Sequence, residues 1–189
     1  APRVRVKAEL VRDIVLASSG LLVKTIGGPS VKPYQPKGLW EAATSGRGVL
    51  ASYQQDHGED LYRRGLYTFI KLTVPPPSMI LFDASNRDQC EVKRSKTNTP
   101  LQALMMMNDP LVMEASRVLA QRLLEEQSAS SEKITKAFRL IICRKPTAKE
   151  IAVLEGYFKE QQELYQQKKS EAAIMIKKGE YPAAKKIDV

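Results

Sequence analysis

The chain has 189 residues, with 30 Lys and Arg against 21 Asp and Glu, a formal net charge of +9. A composition of 43% hydrophobic and 27% charged residues allows a real core and excludes collagen-like, coiled-coil and wholly disordered classes. No apolar run approaches the ~20 residues of a membrane-spanning helix, and the start, Ala1 to Lys7, has no apolar signal region behind its charges.

In chain order, Ala8, Val11, Ile14 or Val15, and Ser18 recur at the helical period, which predicts an amphipathic helix over 7–18. Gly20 suits its left-handed C-terminal cap. Gly27-Gly28-Pro29-Ser30, Pro33, Pro36 and Gly38 predict an extended, turn-rich stretch over 26–40. That glycine run lacks the Gly-Lys-Ser/Thr ending and the strand-to-helix context of a phosphate loop. Residues 41–58, rich in Gly, Ser and Gln, read as a mobile loop. Over 59–72 the acidic start and the basic Arg63, Arg64 and Lys71 suit a helix dipole, while the apolar run from Leu66 to Leu72 fits helix or strand. Pro75-Pro76-Pro77 ends that segment, and Ser78 to Asp83 reads as a short buried extended piece.

The second half has clearer punctuation. Thr99, Pro100 and Gln102 spell a capping box with proline at the first helical position, opening a helix to Met107. Asn108-Asp109-Pro110 starts the next, with Leu111, Ala115, Val118 or Leu119, and Leu123 on one face. Ile134, Ala137, Phe138 and Ile141 form a further stripe. Thr147 and Glu150 repeat the capping box ahead of Ile151, Leu154, Phe158 and Tyr165. Four helices with short connections favour antiparallel packing. The fold expected is mainly α, an irregular loop-rich N-terminal half packed on an antiparallel helical bundle in the C-terminal half. Residues 1–165 form one mainly helical domain, and 166–189 a polar, Lys-rich tail, helical over 171–178 and without an apolar anchor.

Cys90, Cys143 and His57 exclude several chemistries. Neither cysteine begins a Cys-x-x-Cys-His haem site, and the three residues provide no zinc-ligand cluster. No cofactor is therefore expected in this chain. The cysteines read as two separate buried thiols, with one disulfide in an oxidising compartment as the alternative, and His57 as part of a solvated loop. Met105-Met106-Met107 points three ways around a helix, so it reads as core filling, not as metal ligands. Asp56, Glu59, Asp60, Asp83 and Asp88 could hold a glycosidase-type pair, which requires a separation of ~5 to 9.5 Å. The more pointed set is basic and aromatic, Tyr62, Arg63, Arg64, Tyr67, Lys71, Arg87 and Arg94; from it Arg63, Arg64, Tyr67, Lys71 and Arg87, with the carboxylate Asp83, are the candidate ligand-binding residues. On a helix, Arg63, Tyr67 and Lys71 share a face that could grip a carboxylate, sulfate or sugar. The competing reading is that these arginines pair internally and brace irregular loops.

Residues 1–50 carry eight basic and three acidic groups, and the rest of the chain is nearly balanced. Without a nucleic-acid-binding signature this reads as a solvated basic surface, so no nucleic-acid partner is expected.

Several blocks together resemble the planctomycete-specific domain of unknown function, the PSD family, that closes large planctomycete cytochrome-C-type proteins. They include Ala8-Glu9 with Arg12-Asp13, Gly27-Gly28-Pro29-Ser30-Val31, and Gly58-Glu59-Asp60-Leu61-Tyr62-Arg63-Arg64. Leu66-Tyr67-Thr68-Phe69, Pro75-Pro76-Pro77-Ser78-Met79, and Thr97-Asn98-Thr99-Pro100-Leu101-Gln102 with Asn108-Asp109-Pro110 belong to the set, as do Ser19-Gly20-Leu21-Leu22, Tyr34-Gln35-Pro36 with Gly38-Leu39-Trp40, and Phe82-Asp83-Ala84 with Arg87. Gly65, Ile70 and Leu72 stand where similar sequences often have Ser, Trp and Arg. The resemblance implies a fragment of a larger family domain. It implies an exported, extracytoplasmic multidomain protein of the periplasm or cell envelope, in bacteria rich in polysaccharide-degrading proteins. The implied partners are neighbouring domains of the same polypeptide, a haem-bearing one included, and a polysaccharide or anionic ligand. The family carries no established catalytic residue, so the function expected is a non-catalytic interaction module. The alternatives are a polysaccharide-acting enzyme domain and a docking partner of a haem domain.

Overall fold

Lys7 is extended, and the chain turns into helix α1 (Ala8–Ser19) with Ala8, Asp13, Leu16 and Ser19 on its buried face. The computed structural model describes residues 4–48, 50–85, 87, 90–126 and 129–184. Among these the protein is mainly helical. After α1 come α2 (Leu39–Thr44), α3 (Pro77–Leu81), α4 (Pro100–Asn108), α5 (Pro110–Leu124), α6 (Ser130–Ile142), α7 (Ala148–Gln167) and α8 (Lys169–Ile176). Extended pairing among the described residues is limited to isolated bridges, Val23 with Arg63, Val31 with Thr68, and Lys71 with Val74.

The core lies where α1 meets α5. Leu16 and Leu61 are fully buried, and Tyr62, Leu111, Ala115 and Val118 close around them. Helix α5 also touches α4 and α6, α6 touches α7, and α7 touches α8. A smaller aromatic cluster stacks Trp40 of α2 edge-on to Tyr53 at 5.0 Å and beside Phe69 at 5.9 Å.

The capping signals are realised. Thr99 and Gln102 close both bonds of a capping box on α4, and Thr147 and Glu150 do so on α7. The Asp109 carboxylate accepts from the Leu111 and Val112 amides at 2.9 and 3.3 Å, which starts α5 one residue after α4 ends. Gln102 also donates to the Leu81 carbonyl at 2.7 Å, so the start of α4 holds the end of α3.

Four local expectations are corrected. The 59–72 segment is not a helix but two short 3₁₀ turns, Gly58–Tyr62 and Gly65–Tyr67, because it threads between α1 and the 23–31 strip. Ser78 to Asp83 is not extended: proline at the first position starts α3 there. The 41–58 loop begins inside α2, which Trp40, 1% exposed, ties to the interior. Cys90 and Cys143 are both free, as separate thiols, but exposed and not buried; Cys143 is the left-handed C-cap of α6, on the outer hairpin.

The tail is also tied down. Arg117 of α5 donates to the Lys178 carbonyl at 3.1 Å and to that of Tyr181, and the Ala184 amide donates to Gln121 at 3.1 Å. Hydrogen bonds do much of the anchoring, and apolar contact adds to it, with Tyr181 edge-on to Tyr62 at 6.5 Å and Ala172 buried, so the expected lack of an apolar anchor is corrected as well.

Gly65 allows the threading of the 58–68 strip. A Cβ there would lie 2.6 Å from the Glu9 carbonyl oxygen and 2.9 Å from its Cα, both backbone atoms that cannot move aside. Gly156, inside α7, meets nothing within 4 Å. Gly65→Ala is expected to cost about 1–3 kcal/mol through overpacking. Gly156→Ala is expected to gain up to about 1 kcal/mol in helix propensity. Urea midpoints of the two variants should move in opposite directions.

Candidate functional site

The six candidate ligand-binding residues go to several places. Arg63, 5% exposed, donates to the Pro29 carbonyl at 2.7 Å and to the Gly27 carbonyl. Its guanidinium lies 4.1 Å from the centre of the Tyr67 ring, and the Tyr67 hydroxyl accepts from the Gly27 amide at 2.8 Å. These two residues thus meet, through folded loops and not along a helix face, and together they hold the Gly27-Gly28-Pro29 turn. Arg64 pairs with Asp13 at 3.0 Å. Lys71 donates to the Leu50 carbonyl at 2.6 Å and sits 4.4 Å over Trp40. Asp83, with φ of 60°, accepts from the Thr97 amide at 2.7 Å and from its hydroxyl at 2.9 Å. Arg87, with φ of 64°, uses its amide to reach the Ser85 hydroxyl.

The wider carboxylate set is similarly dispersed. Asp56 accepts from the Lys32 amide at 2.6 Å. Glu59 and Asp60 are exposed in the first 3₁₀ turn. Asp88 lies outside the described residues. His57 is exposed, and its Nδ1 lies 2.6 Å from Glu180 of the tail.

Two features off this set have more of the character of a site. The first is a cavity of about 340 Å³ walled by α1, α3, the α4–α5 junction and the loops around Pro33 and Tyr53. Its surface is mainly apolar, with Arg12, Gln35, Tyr53, Thr68 and Asp109 among the polar exceptions. The Arg12 guanidinium donates to the Leu61 carbonyl and, at 3.3 Å, to that of Arg63. Burial pulls its pKa down to about 10, while Asp109, Asp13 and Tyr53 act in the opposite sense. It stays a cation at neutral pH. Burial pushes the Tyr53 phenol and the Asp109 carboxyl up.

The second is Glu114, fully buried on α5. It accepts from the Tyr62 hydroxyl at 2.9 Å and from the Tyr181 amide at 2.7 Å. Burial first, and then the Glu114 charge, push Tyr34 up to about 12 and raise Tyr62 as well. Gly179, with φ of 86°, closes over this group, and a Cβ there would meet Glu114 Cδ at 2.1 Å. Here a carboxylate and two phenols are covered by the chain's own tail.

Arg12 and Glu114 stood outside the basic–aromatic set read from sequence, although Tyr62, which donates to Glu114, belonged to it. Glu114 had a signal: it stands three residues after Leu111 and one before Ala115, in the apolar stripe of α5. Arg12 stands beside Val11 and between the apolar positions of α1, which is a weaker one.

No group of three or more His, Cys, Asp or Glu side chains able to hold a metal ion occurs among the described residues. No helix among them is long and apolar enough to cross a membrane.

The loop blocks that meet around Arg12 and Arg63 are those whose wording resembles the planctomycete domain. The family model for PSD1, a protein of unknown function (DUF1553), matches residues 1–158. The chain belongs to the PSD1 family. No curated protein and no solved structure matches it. The PSD1 match runs through α1 to the middle of α7, and so contains Arg12, Arg63, the cavity wall and Glu114.

Two outcomes follow from this geometry. Arg63→Met leaves the Gly27 and Pro29 carbonyls without their donor, and a cost of about 2–3 kcal/mol is expected. Tryptic cleavage at Lys24 should accelerate in step. Asp109 has a folded pKa above its unfolded value, so the folded state holds more protons than the unfolded one in the window just above 3.8. Its contribution to stability therefore falls as pH rises through that window. Asp109→Asn keeps the cap acceptor without the buried charge, and should match or exceed the parent at pH 7 while losing its advantage toward pH 4. Asp109→Ala loses the cap and should cost about 1 kcal/mol.

Proposed function

We propose that this PSD1 domain is a non-catalytic interaction module of a larger exported protein, seated against a neighbouring domain of the same polypeptide. The observation that carries the reading is where the charges go. Arg12, Arg63, Arg117 and Arg122 donate to backbone carbonyls, and Asp13, Asp56, Asp83 and Asp109 accept from backbone amides. Groups held in this way maintain the shape of a surface and are poorly placed to shuttle protons or attack a substrate.

The surface offered is the α6–α7 hairpin. Neither helix has a fully buried residue, and Ile141, Ile142, Val153 and Tyr157 are half or more exposed. Between Glu132 and Glu150 lie six basic residues, Lys133, Lys136, Arg139, Arg144, Lys145 and Lys149. A partner that fits is a folded domain with an apolar patch rimmed by carboxylates, which places charge complementarity around an apolar centre. The exported setting and a haem-bearing identity for that neighbour rest on the family resemblance and belong to the same proposal.

The competing reading is an enzyme acting on polysaccharide. Incubation of the full chain with a panel of polysaccharides should release no reducing ends above blank. Release that scales with protein and is lost in Asp83→Asn would establish the enzyme instead. Binding of bis-ANS, an aromatic dianion, should weaken severalfold in Ile141→Ser/Ile142→Ser and in 0.5 M salt, on the order expected for screened surface charge.

A further inference from the structure

Arg12, like Arg63 and Arg117, bonds carbonyls and has no carboxylate partner among the described residues, but of these three it alone lines the cavity. Arg64 has Asp13, and Arg94 has both oxygens of Glu9 at 2.9 Å. Arg12 has two carbonyls and, among the described residues, no carboxylate within ion-pairing distance. The acidic groups nearest in its field are engaged elsewhere: Asp13 by Arg64 and the Gly65 amide, Asp109 by the α5 amides. A guanidinium in a buried setting without a bonded anion is costly, by several kcal/mol per ion.

The same cavity wall holds two more unmatched polar atoms. Thr68 is 6% exposed, and its hydroxyl has no hydrogen-bond partner. The Gln35 side-chain oxygen is also buried without a donor. Such atoms are rare in folded proteins, and here both residues line one cavity with Arg12. The rest of the wall is apolar, formed by Val11, Val15, Phe82, Met105 and Leu111 among others. A cation, a hydroxyl and an amide oxygen on residues that line one apolar space are the few polar groups a small-molecule site uses.

We propose that this cavity binds a small amphiphilic carboxylate. Its carboxylate accepts from Arg12, its aromatic or branched apolar body fills the space between α1 and the α4–α5 junction, and a hydroxyl on that body meets Thr68 and Gln35. The size follows from volume. A cavity of about 150 Å³ holds benzene, so the 340 Å³ here has room for about a dozen non-hydrogen atoms. The site is independent of the α6–α7 surface, since none of its lining residues lies on either helix.

The test uses the full chain and four carboxylates that span the class: phenylacetate, cinnamate, 4-hydroxycinnamate and octanoate. Cinnamamide serves as the uncharged control. Saturation-transfer NMR and calorimetry are expected to show binding of cinnamate and 4-hydroxycinnamate, at least tenfold weaker for the amide. Val112→Phe, which fills the cavity from α5, should abolish binding. Thr68→Val and Gln35→Leu remove atoms that have no partner, so they should leave the melting temperature unchanged. They should weaken 4-hydroxycinnamate severalfold more than cinnamate, and they keep the test available if Val112→Phe fails to fold. Three results would overturn the proposal: no binding of any carboxylate at millimolar concentration, equal binding of acid and amide, or binding indifferent to all three substitutions.

Discussion

The fold depends on arginines that satisfy the carbonyls of irregular chain. Much of residues 20–75 lies outside α-helix, and part of it runs over the buried face of α1. Backbone in such a position cannot rely on water for its hydrogen bonds. Arg12 reaches from α1 to the carbonyls of Leu61 and Arg63, and Arg63 reaches on to those of Gly27 and Pro29. Arg122 of α5 takes the Ser19 carbonyl at the end of α1 at 2.7 Å. The relay runs from helix to loop to loop, with a planar fork of fixed donors at each step. Lysine could not replace these residues without loss of the two-carbonyl geometry.

Carboxylates perform the complementary task for amides. Asp13 accepts from Gly65 at 2.6 Å, Asp56 from Lys32, Asp83 from Thr97, and Glu114 from Tyr181. Each lies far in sequence from its amide or across a turn from it. The result is two regions held by different physics. The N-terminal half and the 178–184 strip are held largely by charged side chains on backbone, while α6 and α7 have only local polar ties, such as Arg144 with Glu150, and leave much of their surface open. Local opening should follow that division, with strips secured by a few polar bonds opening before the α1–α5 core.

The difference in binding force explains what was legible in the sequence. Helices α4, α5 and α7 announced themselves because Thr99, Asp109 and Thr147 act on amides two or three residues away, so cause and effect share one short window. The 58–68 strip was illegible for the opposite reason. Its conformation is set by Glu9 against Gly65, by Asp13 and Arg12 across about fifty residues, and by Val23 and Val31 at its flank. The charge gradient from Glu59 to Lys71 looked like a helix dipole, yet Arg63 and Arg64 answer to tertiary partners instead. The candidate cluster was partly visible. Arg63 and Tyr67 do meet, but the four-residue spacing that drew attention to them is not what brings them together. Glu114 and Arg12 needed the third dimension, since a charged residue in an apolar stripe has meaning only once its cover is known.

Arg12 joins these themes. As a structural brace its two carbonyl bonds, each worth about 1.5–3 kcal/mol because the donor is charged, are comparable to the several kcal/mol by which burial disfavours the ion. Arg63, its neighbour in the relay, adds a tyrosine face to its carbonyls. Arg64 and Arg94 have carboxylates. Arg12 alone among these four stands beside an apolar cavity, where the Thr68 hydroxyl and the Gln35 side-chain oxygen are unmatched. A brace could have been built with its free nitrogen turned to a carboxylate, since Asp109 and Asp13 lie close enough to act on its charge. The fold instead directs both of those carboxylates to amides. The same allocation of charges that stabilises the loops leaves Arg12 bonded to carbonyls and without a carboxylate partner, at the wall of that cavity.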